Sequence, residues 1–73
     1  MAMPKIYYGS DIDDQHIMYA TVTGEMADGS LVYTEIEQNP DGSIVIENGE
    51  PVLMLDKQYF RMLRHGYQTF VRI

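Results

Sequence analysis

Four glutamates stand where paired strands would gather them. Glu35 and Glu37 are two residues apart, and Glu47 and Glu50 flank Asn48-Gly49. That dipeptide suits a two-residue type I′ hairpin turn, in which both central positions need positive φ. Such a turn sets Glu47 opposite Glu50. A bulged turn over Asn39-Pro40-Asp41-Gly42 sets Glu35 opposite Glu47. Side chains two apart on a strand share a face, so the spacing predicts one acidic surface, with Tyr19 and Tyr33 among the carboxylates. Like charges directly opposed across strands weaken a sheet. A face that accepts this either keeps the protein soluble or meets a basic partner. The chemistry on offer is ion pairing with Arg or Lys, with tyrosine adding stacking area and hydrogen bonds. Carboxylates arranged this way also take positions that phosphates hold on nucleic acid.

A second acidic group is Asp11-Ile12-Asp13-Asp14-Gln15-His16. It has the look of a cation-ligand cluster but lacks the glycine and distal glutamate of an EF-hand loop. Asp11, Asp13 and Asp14 therefore read as a solvated loop that extends the negative face, with no metal and no cofactor expected. Lys57, Arg61 and Arg64 fall at helical spacing and read as a solvated basic stripe. Direct nucleic-acid binding through it is disfavoured, because the molecule as a whole is anionic. His16 and His65 have no nucleophile pattern around them, and no phosphate loop, dinucleotide fingerprint or HExxH is present. An enzyme is the least expected class.

The elements that must carry these residues are few. Seventy-three residues make a single small domain with a limited core. Eleven acids against five bases give a net charge of −6, and residues 57–73 hold four of the five bases and no acid. Cysteine is absent, which excludes a disulfide scaffold and thiolate metal sites. The longest apolar run is Val52 to Leu55, far short of a membrane span, and no secretory leader is visible. A cytoplasmic protein without membrane contact is expected.

Turn signals at Asp28-Gly29, Pro40-Asp41-Gly42 and Asn48-Gly49 divide His16 to Leu55 into four β-rich runs. With Ala20 opposite Ile36 and Val22 opposite Thr34, the core face holds Met18, Ala20, Val22, Val32, Ile36, Ile44, Ile46, Leu53 and Leu55. From Asp56, an N-cap residue, to Gly66, a C′ residue, the apolar period changes to that of a helix over Lys57–His65. Tyr67 to Ile73 alternates as a last strand. The expected fold is α+β, an antiparallel meander in the order β-β-β-β-α-β with the helix on one face; a small, strongly curved β-barrel is the alternative. Residues 1–15 are expected to be loosely ordered or to add a short edge strand.

The function this implies is a small, acidic, non-enzymatic binding module that occupies a basic surface on another protein. Its sharpest form is a nucleic-acid mimic of mobile-element (phage) type, inhibiting a nucleic-acid-handling or defence enzyme. The alternative is a self-associating accessory protein, a homodimer built on the exposed edge near Pro51–Leu55 and on Val45, Val52 and Met54.

Overall fold

β-Branched and aromatic residues recur in the runs between turns, and those runs pair. A computed structural model describes residues 3–73. Seven strands follow in chain order: β1 (Tyr7–Asp11), β2 (Ile17–Glu25), β3 (Leu31–Ile36), β4 (Ile46–Glu47), β5 (Glu50–Pro51), β6 (Leu53–Arg64) and β7 (Tyr67–Arg72). Five of them close into a barrel in the order β1-β2-β3-β6-β7, while β4 and β5 form a separate two-stranded hairpin. The neighbours are antiparallel except at the closure, where β1 and β7 run parallel through Ser10↔Thr69 and Asp11↔Phe70.

The expected α+β fold is corrected: no helix occurs among the described residues, and the barrel that stood as the alternative forms instead. The segment read as a helix over Lys57–His65 is the second half of β6. It pairs with β3 through Tyr33↔Tyr59 and with β7 from Tyr59↔Arg72 to Arg64↔Tyr67. Ladders on both sides outweigh a local helical period, which tertiary context routinely overrides. Gly66 is no helix cap. His65 (φ 50°) and Gly66 (φ 81°) are the two central residues of a hairpin turn, the same positive-φ pair that Asn48 (φ 52°) and Gly49 (φ 79°) supply between β4 and β5. As a strand, the segment places Lys57 and Arg61 on one side and Arg64 on the other, so the basic stripe does not exist.

Several registers hold as expected. Glu47 faces Glu50 and Ile46 faces Pro51. Asn39 N–H donates to the Ser43 carbonyl at 2.7 Å, with Gly42 at φ 90°. Beyond that turn Ile36 pairs with Leu53 of β6, not with Ile46, so the β4–β5 hairpin leaves the sheet. The last strand, Tyr67–Arg72, bonds to β1 as well as β6 and closes the sheet. The N-terminal segment is not an edge strand: β1 lies between β2 and β7. Met1 and Ala2, part of the 1–15 stretch expected to be loose, lie outside the described residues.

The decisive difference lies in β2. Near its turn the pairing is as expected, Gly24↔Val32 and Glu25↔Leu31, but past a bulge it becomes Val22↔Tyr33, Thr21↔Thr34 and Ala20↔Glu35. One extra residue in a strand reverses which face its partner presents. Tyr33 and Glu35 therefore point into the barrel. Ile36 and Thr34, both 0% exposed, lie on the other side of β3. The interior is built from Met18, Ala20, Tyr33, Tyr59 and Phe70, with Tyr7 packed against it. Its rings meet edge to face: Tyr7 on Tyr33 at 5.2 Å, Tyr33 on Phe70 at 5.8 Å and Tyr59 on Phe70 at 6.0 Å between centroids.

Candidate functional site: a buried carboxylate pair around Tyr59

Inward-facing positions on three strands bring polar groups together inside the barrel. Asp11 ends β1, Glu35 sits one residue before the end of β3, and Tyr59 lies in the middle of β6. Their exposures are 1%, 6% and 0%. The Tyr59 hydroxyl lies 2.8 Å from Glu35 Oε1 and 3.2 Å from Asp11 Oδ2, so one phenol bridges two carboxyl groups. His16, in the loop after β1, closes the group with Nε2 3.2 Å from Glu35 Oε2 and Nδ1 3.9 Å from Asp11 Oδ2.

The loop from Asp11 to His16 is shaped by Asp11 itself. Its backbone N–H donates to the His16 carbonyl at 2.9 Å, and its carbonyl accepts from Gln15 N–H at 2.7 Å. Its Oδ1 accepts from the N–H groups of Asp13 at 2.8 Å and Asp14 at 3.4 Å. Burial by itself would raise the Asp11 pKa, but these backbone bonds, the Tyr59 hydroxyl and the nearby imidazole together hold it below the ordinary 3.8. Tyr59 moves the other way. Burial, then its bond to the Glu35 carboxyl and the negative charge of Glu35 and Asp11, push its pKa far above the ordinary 10.0, so it remains a proton donor.

Beside Asp11 opens a cleft of about 520 Å³, lined by Ser10, Asp11 and Gln15 from β1 and its loop and by Arg64, His65 and Tyr67 from the β6–β7 turn. Asp11, Asp14 and His16 are the described residues whose donor atoms could jointly hold a metal ion.

The residues expected to form one acidic face are divided by this arrangement. Glu35 and Tyr33 are in the interior and leave the surface altogether. Asp11 is likewise inside, whereas Asp13 and Asp14 are exposed. Glu37, Glu47 and Glu50 remain exposed, the last two as a cross-strand pair on the hairpin. Tyr19 is half-buried and packs on Tyr8 at 5.0 Å between centroids. The residues missed as members of a polar cluster are Tyr59 and His16. The available signal for Tyr59 was its β-favouring neighbour Phe60, which the helical period overrode.

Comparison with family models, with curated proteins and with solved structures finds no match.

Nine of the eleven acids are exposed, all but Asp11 and Glu35. Among the described residues no Lys or Arg nitrogen lies within 4.0 Å of any carboxylate oxygen; the one basic ring within that distance is the His16 imidazole, 3.2 Å from Glu35 and 3.9 Å from Asp11. Three of the five cations lie instead on aromatic rings: Lys5 and Arg61 at 5.0 and 4.6 Å from the Tyr7 centroid, and Arg72 at 5.8 Å from that of Tyr59. Arg72 also donates to the Asp56 carbonyl at 2.9 Å. The surface carboxylates are thus left uncompensated by the chain's own bases.

Proposed function

We propose that the chain is a non-enzymatic acidic module that binds a basic surface of another protein, acting in the cytoplasm. The observation that carries this reading is the exposure of nine carboxylates with no Lys or Arg of the chain against them. Exposed unpaired charge steers association with an oppositely charged partner and gives it a steep salt dependence. The recognition residues are Glu37, Glu47 and Glu50, with Asp13 and Asp14 from the β1–β2 loop; all five are exposed. Glu35 and Tyr33, buried, act through the fold. A cysteine-free chain has no need of an oxidising compartment, which favours the cytoplasmic setting.

The test is capture from a cell extract by immobilised protein, beside a Glu37→Lys/Glu47→Lys/Glu50→Lys variant. The expected result is a basic partner retained at low salt, released as salt rises, and lost with the variant. A partner held equally by both proteins rejects the reading.

A second reading, self-association, is favoured by a different face. With Met18, Tyr59 and Phe70 pointing inward, the alternate residues Tyr8, Ile17, Tyr19, Phe60, Met62, Tyr67 and Val71 point outward from β1, β2, β6 and β7. Tyr8, Ile17, Met62 and Tyr67 are 56%, 50%, 46% and 74% exposed. An apolar face of this kind is characteristic of an interface. It replaces the Val45, Val52 and Met54 surface expected from the sequence, whose residues are all half-buried. Sedimentation equilibrium is expected to show a dimer at micromolar concentration that Tyr8→Lys/Tyr67→Lys converts to monomer; a wild-type monomer removes this reading.

A further inference from the structure

The cluster around Tyr59 is short of positive charge. Two buried carboxyl groups, Asp11 and Glu35, share one neutral phenol, and no Lys or Arg nitrogen lies within 4.0 Å of either among the described residues. Buried carboxylates are ordinarily paired with a cation or bound to a metal. The nearest group able to carry charge is His16, and its ring is held in a particular way. A carboxylate oxygen can only accept, so Nε2 carries the hydrogen of the 3.2 Å contact to Glu35 Oε2. In the neutral ring Nδ1 then keeps its lone pair, 3.9 Å from Asp11 Oδ2, too far for a hydrogen bond. An imidazole that gives one N–H to a buried carboxylate and turns the other nitrogen to an acidic residue has the orientation that metal-bound histidines show.

A third donor completes the set. Atoms of Asp11, Asp14 and His16, one from each, lie within 4.8 Å of one another. Asp14 is exposed and accepts no described hydrogen bond, so its carboxylate is available. Asp11 Oδ1 already accepts from the Asp13 and Asp14 N–H groups, whereas Oδ2 accepts from Tyr59 alone and keeps a second lone pair. Glu35 comes from a different strand, and Tyr59 from a third, so the loop is backed by the barrel.

We propose that Asp11, Asp14 and His16 bind a divalent first-row transition cation, with Glu35 fixing the imidazole from behind. One nitrogen and two oxygen donors fit zinc better than magnesium or calcium, which take oxygen ligands and gain little from imidazole. Three protein ligands leave a coordination position open to water or to a group on a partner.

The experiment is calorimetric titration of the chelator-stripped full chain with zinc chloride, repeated with magnesium chloride. Asp14→Asn removes an exposed ligand without touching the core, and His16→Asn removes the nitrogen. His65→Asn controls for the chain's other imidazole. One zinc per chain is expected, with affinity falling at least about tenfold in Asp14→Asn and in His16→Asn and holding in His65→Asn. A nitrogen-15 spectrum should show zinc at Nδ1 of His16. The proposal is overturned if wild type takes up no zinc at millimolar concentration, if Asp14→Asn or His16→Asn binds as tightly as wild type, if the loss follows His65, or if magnesium binds equally well. None of these outcomes bears on the acidic surface of Glu37, Glu47 and Glu50.

Discussion

Replacing Tyr59 by Phe is expected to remove about 3 kcal/mol of folding stability, more than a typical lost hydrogen bond. The ring stays in place against Phe70, so little packing is lost. What disappears is the hydroxyl that stands 2.8 and 3.2 Å from the Glu35 and Asp11 oxygens. Asp11 keeps its two backbone donors and Glu35 its contact with His16, but the buried Oδ2 and Oε1 each lose the hydroxyl, and under-satisfied buried charge is among the more damaging single changes available to a small domain. For a chain of this size that corresponds to a melting temperature lower by roughly 12–24 °C. The pH dependence identifies the cause. The pKa of Tyr59 is raised in the folded state above its ordinary 10.0, so its contribution is whole below pH 10. Above that pH the unfolded chain releases the proton while the folded chain keeps it, and stability falls by up to about 1.4 kcal/mol per pH unit. Thermal unfolding between pH 8 and pH 11 should show this loss in wild type and a shallower one in Tyr59→Phe. A variant as stable as wild type, with the same alkaline slope, would mean that the hydroxyl does not bridge the carboxyl groups.

Gly9→Ala is expected to be comparably damaging, for a steric reason. Gly9 is buried in β1 across from the closure with β7. A Cβ there would stand 2.9 Å from the Gln68 carbonyl oxygen and 2.9 Å from the Phe70 ring. The ring could shift only by disturbing Tyr33 and Tyr59, which it packs against, and the carbonyl belongs to the strand that closes the barrel. Overpacking of this kind removes about 1–3 kcal/mol, and here it acts on the parallel closure, which rests on only two paired positions. Urea unfolding is the direct measurement. A midpoint equal to that of wild type would show that β1 and β7 do not approach as closely as the barrel requires. Gly49→Ala, at φ 79° in an open turn with nothing within 4 Å, should be limited to the backbone strain of about 1 kcal/mol.

Turn chemistry was the legible part of this fold. Asn48-Gly49 and Asn39-Pro40-Asp41-Gly42 name their own turn types, and the pairs Ile46↔Pro51 and Glu47↔Glu50 follow from the first. Even at Asp28-Gly29 the register next to the turn is as expected. What the sequence does not display is the bulge between Val22 and Gly24, because a bulge is settled by how the strand must curve to close a barrel. That single residue moves Tyr33 and Glu35 from the surface to the interior and breaks the acidic face into an exposed hairpin pair and a buried carboxyl.

The segment after Asp56 fails differently. Tyr59, Phe60, Met62 and Leu63 share one side of a helix, yet in a strand they alternate, and Tyr59 alone is fully buried while Leu63 is 66% exposed. Local periodicity cannot separate these outcomes when the partners, Tyr33 and Arg72, lie far off in sequence. His65-Gly66 was the informative signal, since it supplies the positive-φ pair of a tight hairpin, but histidine is a rarer occupant of that position than asparagine. The polar centre depends on both features, because it needs Glu35 turned inward and Tyr59 on a strand.

The most direct measurement is a proton NOE spectrum of the folded chain, read at Tyr59. Cross-strand contacts between β6 and both β3 and β7 are expected, with the Tyr59 ring against Phe70 and its slowly exchanging hydroxyl proton close to His16. Contacts between residues three apart along 57–65, or a Tyr59 hydroxyl in rapid exchange with water, would contradict the buried centre and the barrel that holds it.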